Sequence, residues 1–210
     1  MRILFIGNSH TYFNDMPYQF AELMRAAGQE VEVTMLTRGG QCLAGHIQNE
    51  QTRFNILYGR YDFVVLQEVT SDFPDRETYL RDVSTLRAWC DEAGSACGLY
   101  MNFESPCDTP PLEKMRPVVL TVAGELGLPV ARAGEAFARA KIACPELDLY
   151  SADRHHASAV GSYLIALTMA HDLFGVDVRG LPSSILYQER PLLALDADTA
   201  AALQALVETL

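Results

Sequence analysis

Five short apolar runs punctuate the chain: "RILFI" (2–6), "VEVTML" (31–36), "DFVVLQ" (62–67), "CGLYMNF" (97–103) and "LPVARA" (128–133). Runs of this kind fit strands buried on both faces of a parallel sheet. Parallel neighbours need long crossovers, and the segments between the runs have amphipathic, helix-like spacing. Asp15 caps a helix that turns Phe20, Leu23, Met24 and Ala27 inward and stops at Gly28. Leu43, Ile47, Phe54 and Leu57 mark a second helix, ended by Gly59. Asp75 opens a third, with Leu80, Val83, Leu86 and Cys90 inward and Gly94 at its end. Thr109 with Pro110 opens a fourth, in which Pro117 implies a kink or a break. Ser158 caps "AVGSYLIALTMAHDLF", the stretch 177–191 reads as an irregular excursion, and a short terminal helix follows from Asp196. The pattern predicts one domain over residues 1–210, an α/β/α sandwich around a flavodoxin-like parallel sheet of about five strands.

Charge and cysteine usage narrow the partners. With 27 acidic against 16 basic side chains the net charge is -11, a field that repels phosphate backbones and argues against nucleic acid. Only four apolar residues follow Met1-Arg2 before Gly7, too few for a secretory signal, and no apolar stretch is long enough to span a bilayer. The expectation is a cytoplasmic protein acting on a small molecule. Its five cysteines (Cys42, Cys90, Cys97, Cys107 and Cys144) are odd in number and lack metal-like spacing, so free, mostly buried thiols are expected.

In doubly wound sheets, ligands bind beyond the carboxyl ends of the strands. The residues there are "GNS" (7–9), "TRGGQCL" (37–43) and "QEVT" (67–70), and "DRHH" (153–156) precedes the last long helix. Ester hydrolysis by a serine needs a base, an acid that orients the base, and donors for the oxyanion. Ser9 suits the nucleophile. Asp153 and His156, three residues apart on one turn, suit the acid and base. The N–H groups of Ser9 and Gly40, with the Gln67 amide, suit the oxyanion donors. His155 points elsewhere on such a turn, and His10 projects away from Ser9 if the segment is extended. Arg38 and Arg154 read as solvated charges flanking the site. Glu68 reads equally as a structural partner or a substrate contact, and His46 and His171 as helix residues with no chemistry.

In this order the blocks resemble those of the SGNH (GDSL-like) hydrolase superfamily, and in particular a subgroup with "IGNS", "LQE" and "HxSxxGSYLxA" signatures. The resemblance runs from residue 3 to about residue 174. It implies a serine hydrolase acting on carboxylic esters, with Ser9, His156 and Asp153 as the triad, and no cofactor or metal. Two positions depart from the family pattern: Asn8 stands for the usual aspartate beside the nucleophile, and Gln67 for the block-three asparagine. The range of the family and the lack of a long apolar lid in the sequence favour a small acyl group, such as the O-acetyl of a sugar.

Two other readings compete. In a flavodoxin-like module "GNSHT" would cradle phosphate or flavin, but it lacks a glycine-rich run, and the first clear helix is expected only near Asp15. A metal site on Asp153, His155 and His156 would need further ligands from scattered residues, and no dedicated spacing supplies them.

Overall fold

A computed structural model describes residues 1–107 and 111–210. The elements follow in chain order as β1 (Arg2–Gly7), α1 (Ser9–Tyr12), a 3₁₀ turn (Phe13–Asp15), α2 (Met16–Ala26), β2 (Glu32–Thr37), α3 (Leu43–Ile47), α4 (Glu50–Tyr58) and β3 (Phe63–Gln67). They continue as α5 (Arg76–Ala93), β4 (Ala96–Tyr100), α6 (Leu112–Leu126), β5 (Val130–Ala131), α7 (Ala133–Ala143) and α8 (Ala159–Phe174). The chain ends with β6 (Ser184–Tyr187), β7 (Arg190–Ala194) and α9 (Ala197–Glu208).

The first five strands form one parallel sheet in the order β2-β1-β3-β4-β5, with β1 between β2 and β3. This order reverses direction at β1, so the crevice of a doubly wound sheet opens beyond the carboxyl ends of β1 and its neighbours. Alternate residues of β1 serve opposite layers, as a two-residue period requires. Ile3 and Phe5 pack with Phe20, Met24, Phe137, Leu164 and Leu167 from α2, α7 and α8. Leu4 and Ile6 pack with Tyr79, Val83, Leu86 and Val119 from α5 and α6.

Several expectations are corrected by this architecture. β2 is an edge strand with Glu32, Thr34 and Met35 exposed, so its apolar sequence is not buried on both faces. The second predicted helix is two: Asn49 interrupts it, its Oδ1 accepting the Gln51 N–H at the start of α4, and Phe54 faces solvent rather than the core. The fifth strand shrinks to two residues, and α7 follows it at once. α6 runs unbroken through Pro117 in its second turn, giving up the hydrogen bond that an N–H there would make to the Glu113 carbonyl. Its predicted start at Thr109 and Pro110 lies outside the described residues. Within 177–191 the chain begins an antiparallel hairpin, β6-β7, apart from the main sheet. No described helix is long and apolar enough to cross a membrane. Cys90, Cys97 and Cys144 are buried, Cys42 is half-buried and Cys107 exposed, all as free thiols.

One buried ion pair ties α8, the helix behind the "DRHH" loop, to the start of α7. The Asp172 side chain is 3% exposed and accepts from the Arg132 backbone N–H at 2.8 Å, from its Nε at 3.0 Å and from its Nη2 at 2.6 Å. Removing one partner strands the other, and for buried pairs the cost runs to about 3 kcal/mol or more. Asp172→Ala is therefore expected to lower the melting temperature by roughly 6–12 °C. Calorimetry checks this, and a shift below about 2 °C would show the pair to be dispensable.

Candidate active site

The turn after β1 opens directly into a helix. Asn8 is extended (φ -132°, ψ -152°) and caps α1, its Oδ1 accepting the His10 N–H at 3.1 Å, so Ser9 is the first helical residue. A separate four-residue helix, capped by Asn8, thus precedes α2, which starts at Met16 after Asp15 as the sequence suggests, although the Asp15 side chain makes no cap bond. The same Asn8 donates through Nδ2 to the Gln41 carbonyl at 3.1 Å, tying the Ser9 turn to the Arg38–Gln41 turn beyond β2. That turn closes with Gln41 N–H donating to the Arg38 carbonyl at 3.0 Å, and Gly40 sits in it exposed at φ +68°, where a side chain would be strained.

The "DRHH" loop is a compact hairpin bridged by Tyr150 and Ala157. Ser151 N–H donates to the His156 carbonyl at 2.8 Å, and Arg154 occupies the left-handed region at φ 57°. Asp153 Oδ1 accepts the N–H groups of His155 and His156, each at 3.0 Å, which is the Asx turn that the three-residue spacing allows. Its other oxygen, Oδ2, accepts from His156 Nδ1 at 2.7 Å. With Nδ1 protonated, Nε2 keeps its lone pair, and Ser9 Oγ–H donates to it at 2.7 Å. Three residues 147 positions apart at the extremes thus form one hydrogen-bonded chain. Hydrogen bonds from the His156 ring and from two backbone N–H groups hold the Asp153 carboxyl well below the usual carboxylate range.

Four further residues shape the site: Phe13 and Asn14, which carry no signal in the sequence, and His10 and His155, which the sequence placed away from it. Phe13 stacks on the His156 ring, with centroids 3.7 Å apart and planes 5° from parallel. Asn14, left-handed at φ 54°, anchors that turn through Nδ2 to the Ala157 carbonyl at 2.8 Å and to Ser162 Oγ at 2.9 Å. His10 does not project away from the site: residues 9–12 are helical, so successive side chains diverge by about 100° rather than 180°. Its ring lies 5.1 Å from that of His156, and its Nε2 is 3.3 Å from His155 Nε2 and 3.0 Å from Thr70 Oγ1. His155 likewise does not point elsewhere, since its ring centroid is 4.7 Å from that of His156. Burial, then the neighbouring His155 and His156, push His10 down to about 3, so its imidazole is neutral.

Gln67 is not placed as an oxyanion donor. It is fully buried, its Oε1 accepts from Asn8 N–H at 2.8 Å and Thr11 Oγ at 2.9 Å, and its Nε2 donates to the Glu68 carbonyl. The extra methylene lets the amide reach under the Ser9 turn rather than into the cleft. Gly7 makes room for it, since a Cβ there would meet Gln67 Oε1 at 2.4 Å. Glu68 is a structural partner: buried, it accepts from Leu43 N–H at 3.2 Å and Val69 N–H at 2.6 Å, and burial raises it to about 7. Arg154 pairs with Asp148 through Nη1 at 2.8 and 2.9 Å, Arg38 is exposed, and His46 braces the Gly7 carbonyl through Nε2 at 2.8 Å. His171, in α8, has Nδ1 3.0 Å from Asp172 Oδ1.

Two measurements test these assignments. Gln67→Ala leaves the buried Asn8 N–H and Thr11 hydroxyl without their partner, while the Glu68 carbonyl keeps Asn102 Nδ2, a loss of at least about 2 kcal/mol and roughly 4–8 °C in melting temperature. A stable variant that is a hundredfold slower would restore the donor role. Glu68 titrates higher folded than unfolded, so between its ordinary value near 4.5 and about 7 the unfolded chain releases a proton that the folded one keeps. Stability therefore falls as pH rises through that window, by up to about 3 kcal/mol. Glu68→Gln is expected to shrink the difference in urea midpoint between about pH 5 and pH 8. An unchanged difference would place the titration elsewhere.

No family profile and no curated protein matches the chain, and its likenesses are to solved structures. A DUF4886 family protein from Bacteroides uniformis superposes with a TM-score of 0.75 at 17% identity, covering 100% of this chain and 93% of that one. A candidate GDSL-like lipase from Parabacteroides merdae gives a TM-score of 0.66 at 16% identity, covering 81% and 94%. The psychrotrophic esterase EstA of a Pseudoalteromonas species, in a structure inhibited by monoethylphosphonate, gives 0.61 at 13% identity, covering 82% and 96%. These likenesses follow the chain through its five-stranded parallel sheet and flanking helices, and this protein has the fold of the SGNH, or GDSL-like, hydrolases.

Proposed function

We propose that the protein is a serine hydrolase of carboxylic esters, with Ser9 as nucleophile, His156 as general base and Asp153 as its orienting acid. The observation that carries the reading is the unbroken Ser9 Oγ–His156 Nε2–Asp153 Oδ2 chain, both links 2.7 Å, at the carboxyl end of β1. Asp153 holds the Nδ1–H tautomer, so the nitrogen facing Ser9 can accept its proton as the hydroxyl attacks the acyl carbon. His156 then returns that proton to the leaving alcohol, and water releases the acyl group. Phe13, stacked on the imidazole, limits its rotation through both transfers. The backbone N–H groups of Ser9 and Gly40 serve as the oxyanion donors. Gln67, engaged from below, supports the Ser9 turn and is not among them.

The solved neighbours described as an esterase and as a GDSL-like lipase support the reaction class. Arg38 and Gln41, on the turn tied to Asn8, and the Tyr12 hydroxyl of α1, which reaches Gly39 of that turn, are hydrogen-bonding groups that suit an oxygen-rich alcohol better than a long acyl chain. Short acyl groups, including O-acetyl on a sugar, are the proposed substrates.

A fluorophosphonate probe is expected to label the protein once, at Ser9, and to leave Ser9→Ala unlabelled. His156→Ala should lower kcat on p-nitrophenyl acetate by about 10²–10⁴-fold. Within a series of p-nitrophenyl esters, kcat/KM should fall as the acyl chain lengthens. Labelling and turnover that survive Ser9→Ala would sink the reading.

A further inference from the structure

The triad uses one histidine of three that meet at the site. His10 arrives from the turn after β1, while His155 and His156 come from the loop before α8, so no sequence spacing announces the cluster. One ring nitrogen from each lies within 4.8 Å of the others. We propose that His10, His155 and His156 bind a zinc-like divalent transition-metal ion, and that binding it switches the hydrolase off. The switch rests on the assignment of His156 as the catalytic base. The binding site does not.

Distance favours a metal first. Zinc binds imidazole nitrogen at about 2.0–2.1 Å, so two ligands at a tetrahedral angle stand roughly 3.3–3.4 Å apart. His10 Nε2 and His155 Nε2 are already 3.3 Å apart. Two imidazole nitrogens at that separation have one line of approach between them, which a single metal ion can fill.

His156 is prepared for the same role by its own partner. Its Nδ1–H is held by the Asp153 carboxylate, which is the arrangement that orients and strengthens histidine ligands at zinc. The proton placement that makes Nε2 a base for Ser9 makes it equally a metal ligand. That nitrogen has one lone pair, so it can accept the Ser9 hydroxyl proton or bind the metal, not both. Drawing it in to complete the set means rotating the ring away from Ser9. Three imidazoles select zinc, cobalt, nickel or copper over magnesium and calcium, which prefer oxygen ligands. The fourth position stays open to water, or to Thr70 Oγ1, which lies 3.0 Å from His10 Nε2.

Binding is measured on the full-length Ser9→Ala protein after removal of metal with EDTA, where no catalysis intervenes. Co²⁺ is expected to bind one to one with visible absorption of tetrahedral type, and Zn²⁺ to displace it. Adding His155→Ala to that protein should weaken Co²⁺ binding at least about tenfold. In the native protein, p-nitrophenyl acetate turnover and fluorophosphonate labelling of Ser9 should fall together as Zn²⁺ is added, and EDTA should restore both. Absence of Co²⁺ uptake by Ser9→Ala, or equal affinity with and without His155, would overturn the site. Binding with turnover unaffected would overturn the switch while leaving the hydrolase reading intact. A native protein inactive until Zn²⁺ is added would overturn both.

Discussion

A single buried amide joins the two strand ends on which the site is built. Gln67 closes β3, the neighbour of β1, and its Oε1 takes the N–H of Asn8 and the hydroxyl of Thr11 on either side of Ser9. Its Nε2 holds the carbonyl of Glu68, the residue after β3, and Asn102 Nδ2, just after β4, meets that carbonyl at 2.7 Å. Three parallel strands thus share one polar node at their carboxyl ends. Water does not reach it, so each of these hydrogen bonds keeps its low-dielectric strength, and a missing partner would cost the full desolvation of the group left behind. Ser9 is fixed from below before any contact with His156 is made.

From above, the base is fixed by aromatic stacking and by local strain. Asn14 and Asp15 both lie in the left-handed region, at φ 54° and 52°, where residues other than glycine cost roughly 1 kcal/mol or more each. The surroundings hold them there: Asn14 bonds to Ala157 and Ser162, and Asp15 pairs with Arg190 of the β6-β7 hairpin at 2.8 Å. The strained turn presents Phe13 flat against His156. Asp153 supplies the other constraint by binding both the ring and the backbone of the loop that carries it. Held on its face and at Nδ1, the ring turns Nε2 towards Ser9.

The hairpin that the sequence presents as an irregular excursion therefore has a structural task, and so does the terminal helix beside it. Gln204 of α9 donates through Nε2 to the Tyr163 hydroxyl at 2.9 Å and to the Leu181 carbonyl at 2.8 Å, clamping the segment that leads into the hairpin against α8. α8 in turn starts at Ser158, whose hydroxyl caps it by accepting the Gly161 N–H at 3.1 Å, two residues beyond His156. Elements far from Ser9 in sequence act on the site through the helix that begins beside the base.

The sequence by itself determined the parallel sheet, most of its crossover helices, and the four blocks gathered at its carboxyl edge, because burial on both faces and helical capping leave local patterns. It also determined the Asp153–His156 pair, since three residues on one turn interact wherever the turn is placed. Tertiary structure alone decided what Gln67, His10, His155 and Phe13 do. A glutamine at a strand end has the same local pattern whether its amide faces a cleft or the underside of a turn, and the choice depended on room made by Gly7 and on donors from Asn8 and Thr11. His10 turned inward because Asn8 capped a helix where an extended segment was expected, and the three imidazoles met because two loops about 145 residues apart converge at one strand end. Such convergence leaves no periodicity in the chain, because the residues share a place and not a spacing.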